Sequence, residues 1–220
     1  MKKTFLLSCL MLAAMPVMAA YTGHVYVDKN KNGVFDQSEK PLAGIKVSDG
    51  LNVVETAADG SFTLPGHERE RFIFITTPSG YKTFNRHYHK IEKKQSGYDF
   101  DLIPYSGRIR KDGSHRYIHI TDTEIFNTEN HADWVNNVHD YARNEQAAFI
   151  IHTGDICYEK GLKAHIKLMN TENMDCPVFY CIGNHDLVKG KYGEELFESI
   201  YGPVYYSFDA GNVHYVVTPM

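Results

Sequence analysis

Ala147-Ala148-Phe149-Ile150-Ile151-His152-Thr153-Gly154-Asp155 is a short apolar run that ends in a glycine and a carboxylate. A run of this length, too short for a helix and closed by a turn residue, reads as a strand buried on both faces. The same pattern recurs on either side. Tyr117–Ile120 is followed by Asp122 and Glu124, and Pro177–Ile182 by Gly183-Asn184-His185-Asp186. Between and after these strands lie stretches of helical period. His131–Arg143 carries Trp134, Val135, Val138 and Ala142, Gly161–Asn170 carries Leu162, Ile166 and Met169, and Glu194–Tyr201 follows. Tyr205–Phe208 and His214–Val217 then read as a hairpin. Strands alternating with helices predict an α/β layer. In such sheets ligands bind beyond the carboxyl ends of the strands, so the three polar clusters are expected to converge there.

The chain changes character towards its N-terminus. Residues 21–104 hold short β-rich runs, among them Val25-Tyr26-Val27, Val53-Val54, Phe62-Thr63-Leu64 and Phe72-Ile73-Phe74-Ile75. Turn pairs such as Asn32-Gly33, Asp49-Gly50, Asp59-Gly60 and Ser79-Gly80 separate them. This pattern predicts a small all-β sandwich. The Lys- and His-rich patch Asn85–Gln95 reads as an exposed loop. The predicted organisation is therefore a signal peptide over 1–20, a β domain over 21–104, a linker over 105–115 and an α/β domain over 116–220.

Composition narrows the function class. The chain has 220 residues, 43% of them hydrophobic and 23% charged, and a formal net charge of −4. No basic block marks a nucleic-acid surface. Lys2 and Lys3, the apolar stretch Phe5–Val17, and Ala19-Ala20 form a bacterial-type secretory signal, which predicts a periplasmic, cell-surface or secreted protein with no membrane span after cleavage. A retained anchor and lipidation at Cys9 are the alternatives. The remaining cysteines, Cys157, Cys176 and Cys181, lack the paired spacing of a thiolate metal site. A Cys176–Cys181 bridge would have to bend the strand between them.

The clusters suit divalent cations. Asp122 and Asp155 offer hard oxygen ligands, and Asn184 an amide oxygen. Two neighbouring metals can hold a phosphate ester and activate a water. Gly154 and Gly183 let the backbone turn close to the ions. His185 would serve as proton donor or phosphate ligand, with Asp186 orienting its ring. Each residue taken singly also fits a helix cap or a turn.

Gly154-Asp155 followed by Gly183-Asn184-His185-Asp186, in that strand context, resembles the calcineurin-like metallophosphoesterase family. The resemblance implies an αββα sandwich and a dinuclear centre of Mn, Zn or Fe acting on a phosphate-ester substrate. It implies Asp122 on the first metal, Asp155 bridging, Asn184 on the second, and His185 as the catalytic histidine supported by Asp186. Glu124 stands where the family commonly has a histidine. It either supplies an oxygen, favouring harder metals, or binds through water. The family's later histidines would follow Val217, so the α/β part is expected to be truncated and the fragment to have little activity.

The β segment resembles prealbumin-like or B-type surface repeats, and also the domain that precedes exported calcineurin-like enzymes. Asp28, Asn30, Asn32, Asp36 and Glu39 match the spacing of a calcium loop, with Gly33 at its sixth position; a polar turn is the other reading. The rival to an enzyme is a cell-surface binding or adhesion module with a degenerate α/β part.

Overall fold

The computed structural model describes residues 20–84, 86–106, 108–125 and 131–219. Almost all of the predicted signal peptide, Cys9 included, lies outside the described residues. Among the described residues no helix is long and apolar enough to cross a membrane.

The N-terminal part is built from β1 (Ala20–Val27), β2 (Lys40–Pro41), β3 (Lys46–Ser48), β4 (Val53–Glu55), β5 (Ser61–Pro65), β6 (Phe72–Ile75), β7 (Tyr81–Thr83), β8 (Tyr88–Lys90) and β9 (Phe100–Pro104). One sheet has the order β2-β1-β9-β7, with β5 also paired to β1. The other has the order β4-β3-β6-β8. Val25, Leu64, Phe100 and Leu102 of the first sheet meet Val47, Ile73 and Ile75 of the second in one core. Strand β8 corrects the expected loop at Asn85–Gln95. Tyr88 is buried and pairs with Phe74, but the flanking His and Lys residues mask its single apolar position.

The C-terminal part runs β10 (Tyr117–Ile120), α1 (His131–Asn144), β11 (Phe149–His152), α2 (Tyr158–Leu168), β12 (Val178–Tyr180), a 3-10 turn at Asn184–Asp186, α3 (Glu195–Tyr201), β13 (Tyr206–Ala210) and β14 (Val213–Val217). Strands β10, β11 and β12 lie parallel in that order. Strands β13 and β14 form an antiparallel hairpin. Ile150, Val178 and Tyr180 face the helices, in a core with Leu162, Phe197 and Tyr201. Phe149 and Phe179 face the other way, onto Phe208 and Tyr206 of the hairpin. Helices, parallel sheet and hairpin sheet thus stack in the order expected of an αββα sandwich. Helix α2 starts before Gly161, which sits inside it; a Cβ there would lie 2.4 Å from the Ile125 carbonyl oxygen. That glycine permits close packing and breaks nothing.

The two parts share a core. All four residues of β6 are buried. Ile73 and Ile75 point into the sandwich, while Phe72 and Phe74 pack with Tyr88, Ala148, Phe149 and Phe208. Burying an aromatic side chain contributes roughly 1.5–3 kcal/mol, so this face binds the layers together. Polar links reinforce it. Asp209 N–H donates to the Thr77 carbonyl at 2.9 Å, and the Arg71 guanidinium meets the buried Glu198 carboxylate at 2.6 Å. The Tyr206 hydroxyl accepts from Tyr180 N–H and donates to its carbonyl, both at 2.9 Å, which closes the outer edge of β12.

Cys157, Cys176 and Cys181 are all free. Strand β12 lies between Cys176 and Cys181, and no bridge joins them.

Several histidines with buried ring atoms are held neutral. Burial depresses His87 to about 4, and its Nε2 has no hydrogen-bond partner. His165 is held well below its ordinary value, and His131 is lowered too, both by burial. A folded-state value below 6.5 means that the unfolded chain takes up more protons as the pH falls. Stability is fully present above 6.5 and is lost as the pH drops towards 4. At 1.36 kcal/mol per pH unit, His87 alone should cost about 2 kcal/mol by about pH 5. Urea unfolding at neutral and acid pH checks this. His87→Phe should reduce the dependence, with His131, His152 and His165 supplying the remainder, and equal stability of the unaltered protein at both pH values would contradict the account.

Candidate metal centre at the strand ends

The parallel register places the ends of β10, β11 and β12 side by side, with Ile120 beside His152 and His152 beside Tyr180. The three following loops therefore leave from one edge and are stitched to one another. Asp122 N–H donates to Gly154 O and Glu124 N–H to Asp155 O, each at 3.0 Å. His185 N–H donates to Asp155 Oδ1 at 3.0 Å. Asp122, Glu124, Asp155, Cys157 and Tyr158 all have left-handed backbone angles, with φ between 41° and 80°. Such angles cost roughly 1–3 kcal/mol each and persist only where surrounding bonds hold them. Gly183 gives the closest approach: a Cβ there would lie 2.1 Å from both Asp155 N and Oδ1.

The side chains meet around His185. Its Nδ1 lies 3.3 Å from Glu124 Oε1, 3.8 Å from Asp155 Oδ2 and 3.7 Å from Cys157 Sγ. Ligand atoms of Glu124, Cys157 and His185 lie within 4.8 Å of one another. Asp122 is exposed at the same edge and accepts from Thr121 Oγ1 at 2.5 Å. Asn184 is exposed and opens the 3-10 turn. The exposed Tyr158 ring lies parallel to His185, with centroids 6.2 Å apart.

Asp186 departs from its expected role. It is fully buried, and its oxygens accept from Cys157 N–H and Gly183 N–H, each at 2.9 Å. Burial raises its carboxyl above the usual range, while those backbone donors pull it down. It braces the loops from beneath, and Glu124 is the carboxylate beside the His185 ring. Two further residues carry no sequence signal for their part. His152 ends an apolar run, yet its Nδ1 accepts from Gly154 N–H at 3.2 Å and its Nε2 lies 3.0 Å from Thr123 Oγ1. It ties two of the loops, and burial lowers it to about 4, which keeps it neutral. Cys157 lacks any paired cysteine and reaches the site only through its turn. Burial, with neighbouring carboxylates, pushes its thiol up to about 11.

Glu124, Cys157 and His185 form a donor set that could hold a cation. Asp122, Glu124 and Asp155 concentrate negative charge at one edge. Among the described residues the only ion pairs of Glu124 and Asp155 are with His185, and no Lys or Arg pairs with Asp122. One carboxylate oxygen, one thiol sulfur and one imidazole nitrogen suit a borderline divalent ion.

Residues 115–217 match the family model "Calcineurin-like phosphoesterase". Residues 29–104 match "N terminal of Calcineurin-like phosphoesterase". The chain belongs to the calcineurin-like phosphoesterase family. No curated protein matches it. The second match overturns the expected prealbumin-like or B-type surface repeat: the β segment is part of the calcineurin-like phosphoesterase itself. The doubly buried β6 gives the physical reason, since an independent sandwich would not cover both faces of that strand. In this calcineurin-like phosphoesterase the Asp28–Glu39 segment is tied together by its own polar groups. Buried Asp28 accepts from Lys31 and Gly33 N–H at 2.6 and 2.9 Å, and Glu39 accepts from Lys29 N–H at 2.8 Å. The side chains of Asn30 and Asn32 both donate to Asp36.

Proposed function

We propose that the protein hydrolyses a phosphate monoester or diester, with cations held by Asp122, Glu124, Asp155 and Asn184. The bound ions would supply Lewis acidity and an acidified water. The chain's own groups do the rest. Asp155 fixes the backbone of His185, and Glu124 lies against its Nδ1. The half-exposed imidazole is then placed to give a proton to the departing alcohol oxygen. Tyr158, stacked alongside, restricts the ring. The observation that carries this reading is the convergence of three strand-end loops on His185. An oxygen from Glu124 in place of a nitrogen shifts the preference towards harder ions such as Mn²⁺.

The test is release of nitrophenol from p-nitrophenyl phosphate and its bis-ester by the full-length protein. Turnover is expected with added Mn²⁺ and none after chelation. Failure of the metal-loaded protein to hydrolyse either ester would overturn the reading.

A further inference from the structure

A second cluster of metal-type ligands lies in the N-terminal sheets, on residues that the strand-end site does not use. Asp49 sits in the turn after β3. His67 and Glu70 sit in the crossover from β5 to β6, which carries the chain from one sheet to the other. One ligand atom from each of the three lies within 4.8 Å of the other two. His67 Nε2 is 3.5 Å from Asp49 Oδ1.

Three features point to a cation. The Asp49 side chain is fully buried, and its partners are the backbone N–H groups of Leu51 and Asn52 at 2.9 and 2.7 Å and the Asn52 amide at 3.0 Å. Among the described residues no Lys or Arg pairs with Asp49 or Glu70. A buried carboxylate without a countercharge is costly, and a second one beside it adds repulsion. His67 Nε2 is itself buried and has no hydrogen-bond partner. Finally, His67, Glu70 and Tyr21 line an open cavity of about 610 Å³, which provides a route from solvent.

We infer that Asp49, His67 and Glu70 bind a divalent cation of the Zn²⁺ type, which clamps the β3–β4 turn to the crossover between the sheets. One imidazole nitrogen and two carboxylate oxygens form a borderline set that suits Zn²⁺ with water completing the sphere. Loading has a stated structural cost. A metal on Nε2 leaves the imidazole proton on Nδ1, so the Arg69 N–H···Nδ1 bond of 3.2 Å must give way. The Tyr21 hydroxyl, which donates to Glu70 Oε1, must share that carboxylate.

The strand-end site is disabled for the test by working in a Glu124→Ala, Cys157→Ser, His185→Ala background. In that background the protein is expected to retain a single Zn²⁺ on dialysis, to melt at higher temperature with Zn²⁺, and to show Co²⁺ d–d absorption. His67→Ala and the near-isosteric Asp49→Asn, added separately, should each abolish all three while circular dichroism stays folded. Loss of the thermal shift in Asp49→Asn alone still supports the site, because that change keeps the turn's shape. Undiminished Zn²⁺ binding in both variants, or no Zn²⁺ and no Co²⁺ bands in the parent, would overturn the inference. The outcome is independent of any phosphatase activity.

Discussion

Asp155→Ala is expected to abolish metal-dependent ester hydrolysis and to weaken Mn²⁺ binding at the strand ends at least about 100-fold. Asp155 is the residue on which the loops meet. Its Oδ1 accepts from His185 N–H at 3.0 Å, its Oδ2 faces the His185 ring at 3.8 Å, and its carbonyl holds Glu124 N–H at 3.0 Å. Alanine leaves the carbonyl but removes both side-chain roles, the charge and the anchor. Asp155→Asn separates them, because an amide oxygen can still accept from His185 N–H while the charge is gone. Isothermal titration with Mn²⁺ reads the effect, and circular dichroism establishes that the fold survives. Asp155→Asn should bind Mn²⁺ better than Asp155→Ala and worse than the unaltered protein. An unchanged Mn²⁺ affinity in Asp155→Ala would remove Asp155 from the site.

Gly183→Ala should be the most damaging small substitution among the strand-end loops. The backbone at Gly183 is ordinary extended chain, with φ −101° and ψ 171°. Any residue can adopt it, so the effect is one of space alone. The added methyl would lie 2.1 Å from Asp155 N and Oδ1, and neither can move without breaking the loop contacts. Overpacking against backbone costs about 3 kcal/mol, and the loops must part at the point where His185 is held. Gly97→Ala is the control, because a Cβ there meets nothing within 4 Å. It should change stability by no more than about 0.5 kcal/mol. Denaturant unfolding of both variants, with Mn²⁺ titration of Gly183→Ala, reads the difference. Equal stability of the two would mean that the loops are less tightly packed than the geometry requires.

The convergence of the strand-end loops was legible because its signal is local. Each cluster follows its own apolar run, and a buried parallel strand delivers the residues after it to the carboxyl edge. Asp122, Glu124, Asp155, Asn184 and His185 could therefore be placed at one edge of the sheet from spacing. Their partners could not. Asp186 directly follows His185, yet its carboxylate turns beneath the loops to Gly183 and Cys157 N–H. Cys157 and His152 reach the site through turns and burial that leave no pattern in the chain. Strand β8 was hidden for a related reason: one inward residue, Tyr88, among charged neighbours has no period to detect.

By itself the sequence determined the layers: β-rich segments before residue 104, then strands and helices in alternation, then a hairpin. These follow from periodicity and turn residues, which act over a few positions. Only the tertiary structure decided that the layers are continuous. Phe72 and Phe74 read the same whether a strand has one buried face or two, and it is the opposing Phe149, Phe179 and Phe208 that bury the second. The same holds for the carboxylates. Which of them faces a histidine and which braces a backbone depends on contacts between residues some 30 positions apart, and no short-range rule encodes those.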